Sequence, residues 1–224
     1  MTTTESGRGE QTRKLIVDTA LRLFSELGYE KTTMRAIASA AGVSVGNAYY
    51  YFASKEVLVQ EFYLQLQKEH LAGVNEVLAK GGSFSEQLMG ILRAGIEVWR
   101  PHHEFGGKFI GLAAVPGSPL SPFSPESAQS REMAMDVYRR FVAGTTLKMD
   151  AQLREQLPDF LFLAQLGLVA YWVHDQSPNQ QRTTKVMELA VPYLEDLIGL
   201  SRHKVFRAMT TRALGLIKLL NPYH

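Results

Sequence analysis

The chain has 224 residues, of which 46% are hydrophobic and 21% charged, so it can bury a core and is neither a disordered nor a collagen-like polymer. It contains no cysteine, which excludes disulfide scaffolds, thiolate metal sites and cysteine nucleophiles. The net charge of +2 does not by itself indicate a nucleic-acid binder, but the charges are unevenly placed. No acidic residue lies between Glu30 and Glu56, and residues 200–224 carry five basic side chains and no acidic one.

We expect no targeting signal in this sequence. The N-terminal segment is polar and has none of the apolar residues that a secretory signal requires. The longest apolar run, Leu166–Val173, has eight residues, whereas a membrane-spanning helix needs about 20. The expected protein is therefore cytoplasmic and has no membrane partner.

The first third of the chain is predicted to be helical. Apolar residues recur at three- and four-residue steps in a first helix that ends at Gly28. Two short helices follow at about residues 34–41 and 45–51. Ser54 then caps a long amphipathic helix that ends at residues 80–82, Lys-Gly-Gly.

The middle of the chain begins with a capping-box pattern. Ser83 and Glu86 have the S-x-x-E spacing that starts a helix, here through Trp99. Pro101 and the Gly106-Gly107 pair are expected to interrupt the next stretch. Four prolines then recur every three residues: Pro116, Pro119, Pro122 and Pro125. This spacing matches polyproline II and could dock an SH3-like groove, but an extended surface loop is favoured.

The last part of the chain is again predicted to be helical. One helix starts at Ser124-Pro125 and runs to Gly144. Residues 158–173 are apolar on almost every side, which predicts a helix that is buried all round or sandwiched at an interface. Residues 182–200 are amphipathic, with a kink or start expected at Pro192. Ser201 caps a last helix with a basic and an apolar side, for which packing on the protein is favoured over membrane binding.

These elements predict an all-α protein in which the two short helices form a helix-turn-helix. Gly42 can adopt the left-handed conformation that turns the chain between them. Thr32 or Thr33 is expected to cap the first short helix and Ser44 the second. The shape also occurs at ordinary corners of helix bundles, so on composition alone DNA binding is favoured rather than required.

The exposed face of the second short helix carries side chains that suit DNA reading. Asn47 and Tyr50 would lie on this face, and Gly46 would allow close approach to the duplex. An asparagine amide can read adenine through two hydrogen bonds, although a solvent-exposed asparagine near a helix cap is an equal alternative.

The same segment resembles the N-terminal signature of the TetR family of ligand-responsive transcriptional repressors. The resemblance covers about residues 12–62. The matching residues are Phe24, Gly28-Tyr29, Thr33, Ile37-Ala38, Ala41-Gly42-Val43-Ser44, Gly46, Tyr49, Tyr51-Phe52 and Lys55. It implies a three-helix DNA-binding domain at residues 1–54 and a larger helical ligand-binding and dimerisation domain at residues 55–224.

The resemblance also implies a role for most of the candidate DNA-binding residues. Ser44, Gly46 and Asn47 would face the major groove. Three further residues, Thr33, Tyr49 and Lys55, would hold backbone phosphates. The remaining candidates are Arg35, Val45 and Tyr50, of which Tyr50 would reach a base edge or phosphate and Arg35 could add a contact.

Two residues depart from the family pattern. Val45 stands where the family usually has Lys or Arg, which removes a phosphate contact and predicts weaker salt dependence. Ala48 replaces a larger aliphatic residue, which predicts altered packing of the recognition helix.

The family resemblance further implies a small-molecule effector, apolar or aromatic, bound in a cavity of the second domain. The candidate lining residues are aromatic side chains of its middle helices: Trp99, Phe109, Tyr138, Phe141 and Trp172. The helices at about 158–174 and 182–200 would pair with their mates in a homodimer.

Two other motifs are assigned no chemistry. Residues 42–46 match the G-x-S-x-G nucleophile elbow, but a helix is predicted where that elbow needs a strand, so a catalytic Ser44 is disfavoured. The neighbouring His102, His103 and Glu104 lack two identifiable further metal ligands. We therefore predict no catalytic residue, no metal and no cofactor.

The function expected from the sequence is a dimeric regulator, in the first place a repressor, that binds a palindromic operator in double-stranded DNA and is released by the effector. Alternatives are an activator, a small-molecule-binding protein without regulation, and a hydrolase that uses Ser44.

Overall fold

The computed structural model describes residues 3–203 together with Arg212 and Gly215. Across these residues the regular secondary structure is helical and no β-strand occurs, which confirms the predicted all-α class. The α-helices are α1 (Thr3–Leu27), α2 (Met34–Ala40), α3 (Val45–Tyr51), α4 (Lys55–Lys80), α5 (Phe84–Trp99), α6 (His103–Ala113), α7 (Ala128–Gly144), α8 (Ala151–Val173) and α9 (Gln181–Leu200).

The chain forms two compact units. The first unit comprises Met1–Leu66 and His102–Ser130, and the second comprises Gln67–Pro101 and Arg131–His224. Helix α4 therefore begins in the first unit and ends in the second. The domain boundary between residues 54 and 55 stays a prediction.

The first unit has a helical core at its N-terminal end. Helix α2 packs against both α1 and α3. Helix α1 ends as predicted, because Gly28 adopts a φ of +88°, which an L side chain rarely adopts. The fully or nearly fully buried side chains of these helices and their caps include Ile16, Val17, Ala20, Phe24, Ile37, Ala38, Ala48 and Phe52.

Aromatic rings connect α1, α4 and α6 within the first unit. The Phe105 ring lies 4.8 Å from Phe109 and 5.6 Å from Phe62, measured between ring centroids. Tyr29 lies 5.0 Å from Phe24 and 5.9 Å from Phe109. Helix α6 runs through Gly106-Gly107, where an interruption was expected. Each glycine costs a helix interior about 1 kcal/mol, and burial of the flanking phenylalanines offsets this.

The proline-rich stretch is a series of tight turns rather than polyproline II. In residues 115–127, the Ser-Pro segment, each of four backbone amides donates to the carbonyl three residues earlier, at Ser118, Ser121, Ser124 and Ser127. The Gln60 amide nitrogen donates to the Pro119 carbonyl at 2.7 Å, and the Tyr63 hydroxyl to the Leu120 carbonyl at 3.2 Å. The Ser-Pro segment is thus hydrogen-bonded to the first half of α4.

In the second unit α9 packs against both α5 and α8. The predicted capping box is present, since the Ser83 hydroxyl accepts from the Glu86 amide and the Glu86 carboxylate accepts from the Ser83 amide. Glu195 of α9 accepts hydrogen bonds from the amide and the hydroxyl of Ser85, which joins the start of α5 to α9.

Two predicted helix starts in this part of the chain were wrong. Helix α7 begins at Ala128 instead of Pro125, because the turns of the Ser-Pro segment continue through Ser127. Helix α8 begins at Ala151, seven residues before the expected Pro158, and Asp150 caps it. Pro192 lies inside α9.

Helix α8 is also long and apolar enough to span a membrane by length and composition alone, but 44% of its most apolar window is buried in the protein. Helices in the core of soluble proteins share these properties, so the indication is weak. The predicted basic last helix lies outside the described residues, apart from Arg212 and Gly215, which are helical.

Candidate nucleic-acid interface and ligand unit

The helix-turn-helix is held by side-chain caps at both helix starts. The Thr33 hydroxyl accepts from the Ala36 amide at 3.1 Å, and the Ser44 hydroxyl accepts from the Asn47 amide at 3.0 Å. Gly42 adopts a φ of +67° in the turn. Each cap of this kind contributes about 1 kcal/mol to helix stability.

Helix α3 presents one face to the outside and buries the other. All of the predicted contact residues on α3 and its cap are exposed: Ser44, Val45, Gly46, Asn47, Tyr49 and Tyr50. Thr33, the N-cap of α2, and Arg35 within α2 are exposed as well. Tyr50 is 81% exposed, whereas Ala48 is completely buried. The Tyr50 ring contacts only the edge of its neighbour Tyr51 at 5.2 Å between centroids among the ring contacts of the described residues, so most of it is available to a partner.

Lys55 differs from the other candidates because it is engaged inside the first unit. Its ammonium group donates to the Tyr29 carbonyl at 2.8 Å and lies 4.3 Å from the centroid of the Tyr29 ring. The Tyr29 hydroxyl donates to Glu56 at 2.7 Å. Burial alone would raise the pKa of Glu56, but hydrogen bonds from Ser54 and Tyr29 outweigh it and lower that pKa. This Tyr29–Lys55–Glu56 linkage joins the end of α1 to the start of α4, and it was not predicted from the sequence.

The two motifs without assigned chemistry have ordinary structural surroundings. Helix α2 precedes Ser44, where a nucleophile elbow needs a strand, and the Ser44 hydroxyl is occupied as a helix cap. The His102 ring packs on Phe62 with 4.8 Å between centroids. In the described part of the chain no three His, Asp or Glu side chains come together in a way that could hold a metal ion.

The five aromatic candidates for the effector site are distributed over both units. Phe109 lies in α6 of the first unit. The other four belong to the second unit, where Tyr138, Phe141 and Trp172 are fully buried and Trp99 is partly exposed. Their role in binding an effector stays a prediction.

An apolar groove of about 510 Å³ lies in the second unit between α5, α8 and α9. None of the five aromatic candidates lines it. Its lining is almost entirely aliphatic and aromatic, and includes Leu88, Leu161, Leu168, Tyr171, Val191 and Tyr193. The face of α8 that carries Ala164, Gly167 and Tyr171 is exposed here, so α8 is not buried all round.

A helix-turn-helix with an exposed second helix, followed by a separate helical unit, is the arrangement found in DNA-binding transcription regulators. Two family models match the chain. The model of "Bacterial regulatory proteins, tetR family" matches residues 16–62, and the model of "Tetracyclin repressor-like, C-terminal domain" matches residues 87–213. Because the second match alone spans more than half of the chain, the protein belongs to the TetR family.

Individual relatives agree with this assignment. The HTH-type transcriptional repressor KstR2 of Mycobacterium tuberculosis (strain ATCC 25618 / H37Rv) is 29% identical over 136 residues, which are 59% of this chain and 67% of KstR2. The HTH-type transcriptional regulator UidR of Escherichia coli (strain K12) is 39% identical over 67 residues, 30% of this chain and 34% of UidR.

Solved structures agree at the level of the fold. The TetR transcriptional regulator from Nitrosomonas europaea ATCC 19718 has a TM-score of 0.63 at 15% identity, over 81% of this chain and 96% of its own. FadR from Bacillus subtilis in complex with stearoyl-CoA has a TM-score of 0.63 at 18% identity, over 80% of this chain and 97% of its own. Together with the two family models, the fold identifies a DNA-binding transcription regulator of the TetR family.

Proposed function

We propose that the protein is a dimeric repressor whose α3 helices read the two halves of a palindromic operator, and that a small apolar effector releases it. The observation that carries this proposal is the exposed face of α3, on which Gly46, Asn47 and Tyr50 lie beside each other without covering residues. The domain division at residues 54 and 55 belongs to the same proposal.

Each exposed residue has a distinct task in this proposal. Asn47 reads a base edge in the major groove, and Gly46 lets the helix approach closely. Tyr49 and Thr33 contact backbone phosphates, with Arg35 as a further cation. The Lys55 ammonium group contacts a phosphate through the hydrogens that it does not donate to the Tyr29 carbonyl.

The proposed dimer forms through α8 and α9. Leu189 is 76% exposed, Tyr193 64% and Tyr171 45%. The two tyrosines line the groove between α5, α8 and α9, and Leu189 lies one helical turn before Tyr193 on α9. A contiguous apolar surface of this kind usually marks an interface, and a second copy buries it by presenting the same surface in return. Such a dimer would place two recognition helices about 34 Å apart on successive turns of DNA.

The effector is proposed to act through α4. This helix runs from Lys55 in the first unit to Lys80 in the second without a break, so a tilt at one end is carried to the other. An effector that binds the tilted state more tightly shifts the population away from the DNA-binding state. We propose no catalytic activity and no cofactor, and a cytoplasmic location where the operator is accessible.

Selection of the protein's preferred sites from random double-stranded DNA tests the proposal. The expected result is a palindromic consensus whose half-sites are spaced by about one helical turn. Binding that lacks sequence preference, or a consensus with a single unrepeated half-site, would contradict the dimeric repressor model.

A further inference from the structure

The exposed face of α3 carries no charged side chain. The seven residues of this helix, Val45–Tyr51, include neither an acidic nor a basic one. Three of its large side chains are exposed instead: Val45 by 40%, Tyr49 by 51% and Tyr50 by 81%. Guanine, which proteins read most often through a bidentate arginine or lysine, therefore has no such partner on α3.

Val45 is held in a fixed orientation on this face. It is the first residue of α3, and the helical turn around it is closed by two hydrogen bonds to Ser44. The Ser44 hydroxyl accepts from the Asn47 amide and the Ser44 carbonyl accepts from the Ala48 amide, each at 3.0 Å. A valine in a helix also has one strongly preferred χ1 rotamer, so its methyl groups lose little entropy when they contact a partner. The first residues of a recognition helix are those that contact base edges in the major groove.

The thymine methyl group is the apolar group that suits a valine in the major groove. Guanine, adenine and cytosine present hydrogen-bond donors and acceptors there. A valine side chain against one of these polar groups displaces water and offers no hydrogen bond in return, which costs binding free energy. Against a methyl group, the same side chain buries apolar surface and gains binding free energy. An apolar side chain at the start of α3 thus favours an A·T pair over a G·C pair.

We propose that Val45 reads one thymine in each operator half-site through the C5-methyl group of that base. The contact supplies sequence specificity on a helix that has no cation for guanine, and it complements Asn47, whose amide suits adenine. The inference rests on the proposed function, in which α3 reads the operator. It adds that the base pair under Val45 is an A·T pair recognised by its methyl group.

Replacement of thymine by deoxyuridine tests the inference, because it removes the methyl group and leaves every hydrogen-bonding atom of the base in place. The probe is the DNA sequence obtained by site selection, with each thymine replaced in turn at the same position of both half-sites. Fluorescence anisotropy measures the affinity of the full-length wild-type protein for each probe. At one position we expect the replacement to weaken binding about fourfold for each half-site, and about tenfold or more over both, as loss of a buried methyl group predicts.

A variant identifies the residue responsible. Val45→Ala removes the two methyl groups of the side chain, so the thymine and deoxyuridine probes should bind it equally at the sensitive position. The slope of log affinity against log salt should stay that of the wild type, since no phosphate contact is lost. Val57→Ala is the matched control, because Val57 of α4 is a valine of the same unit with 41% exposure, and this variant should keep the full preference for thymine.

The inference is overturned if no deoxyuridine replacement weakens binding of the wild type, or if the preference for thymine survives in Val45→Ala. A probe that is sensitive only to 7-deazaguanine, which lacks the N7 acceptor, would show that guanine is read instead and would overturn it as well. The first measurement uses the wild-type protein, so it stays decisive if a variant fails to fold.

The same probes separate this inference from the proposed function. A palindromic operator that tolerates every deoxyuridine replacement would count against the inference alone. A single unrepeated half-site that is sensitive to one replacement would count against the dimeric repressor alone, and binding without sequence preference would overturn both.

Discussion

Asn47 is the residue of α3 whose side chain best suits direct base reading. Its backbone amide is held by Ser44, while the side chain is exposed. We expect Asn47→Ala to cost about 1–3 kcal/mol of binding free energy on the preferred operator and to relax the preference at one base pair in each half-site. Fluorescence anisotropy on operators with single-base changes measures both effects.

Asn75→Ala in α4, which alters an exposed asparagine of the second unit, is the control. An unchanged base preference in Asn47→Ala would remove this residue from the reading face.

Lys55 allows a second prediction at the residue scale. If the ammonium group contacts a phosphate, Lys55→Ala weakens binding about equally on all DNA sequences and reduces the slope of log affinity against log salt by about 1. If it only ties α4 to the Tyr29 carbonyl, the variant loses stability while the salt slope stays the same. Affinity across a salt series, measured with thermal unfolding of the free protein, separates the two results.

Asp175 makes the stability of the second unit depend on pH. Its two carboxylate oxygens accept four hydrogen bonds from the amides and hydroxyls of Ser177 and Thr183. Burial alone would raise the pKa of Asp175, but these bonds outweigh it and hold the pKa well below the usual value of 3.8. Because the folded pKa is depressed, the stabilisation is complete above about pH 5 and is lost as the pH falls through the folded value.

We therefore expect Asp175→Asn to be less stable than wild type at pH 7, with a difference that shrinks on acidification. Chemical denaturation between about pH 7 and pH 2 measures it. Asp196→Asn, at an exposed residue, is the control, and its free energy of unfolding should vary with pH as that of the wild type does. A stability difference that is constant with pH would show that the hydrogen bonds matter but the charge does not.

The sequence predicted local features at the residue scale much better than tertiary ones. The caps at Ser44 and Ser83 depend on neighbours three residues away, so their spacing is visible in the chain. The pairing of Tyr138 with Gln165 joins residues 27 positions apart, and no local pattern encodes it. The available signal was a glutamine within the mostly apolar residues 158–173.

At the scale of elements, α4 and α5 cross closely at two glycines. A Cβ on Gly73 would lie 3.1 Å from the Ala94 Cβ, and one on Gly90 would lie 2.8 Å from a methyl group of Val77. A valine side chain has little rotational freedom, so the helices must separate to admit the extra atom. The glycines thus set the distance between the two helices.

We expect Gly90→Ala to destabilise the protein by about 1–2 kcal/mol, because the steric clash exceeds the gain in helix propensity. Adding Val77→Ala should recover part of that loss, and a double-mutant cycle by urea unfolding measures the coupling. Gly111→Ala in α6 is the matched control, since a Cβ there meets nothing within 4 Å. Additive effects of the two substitutions would contradict a direct clash.

The conformation of the Ser-Pro segment could not be predicted from the spacing of its prolines. A proline every third residue fits polyproline II, but a serine precedes each of the last three prolines and its amide can close a turn. The choice between the two is made by contacts with Gln60 and Tyr63, which are more than 50 residues away in sequence. The presence of a connection at these prolines was predictable, while its conformation was not.

At the scale of the whole molecule, family membership makes the N-terminal unit far more predictable than the rest. Its signature lies between Phe24 and Lys55 and carries the turn and the caps. The second unit was predictable only in helix content and in local features such as the Ser83 capping box, since its apolar residues fit both a core and an interface. The exposure of each side chain in the structure distinguishes core residues from interface residues, because Leu189 and Tyr193 lie outside the core of the described protein.

The exposed apolar surface around Leu189 should be needed both for dimerisation and for tight binding of a palindromic operator. Leu189→Lys places a charge where a second copy would bury an apolar side chain, so we expect a monomer in light scattering at concentrations where wild type is a dimer. A monomer contacts one half-site, and its affinity for the full operator should fall about 100-fold or more. Val115→Lys adds the same charge at a residue of the first unit that is 53% exposed on the Ser-Pro segment, and it should change neither property. If Leu189→Lys stays dimeric, the second copy does not bind at this surface. If it becomes monomeric yet keeps full operator affinity, one helix-turn-helix suffices for recognition.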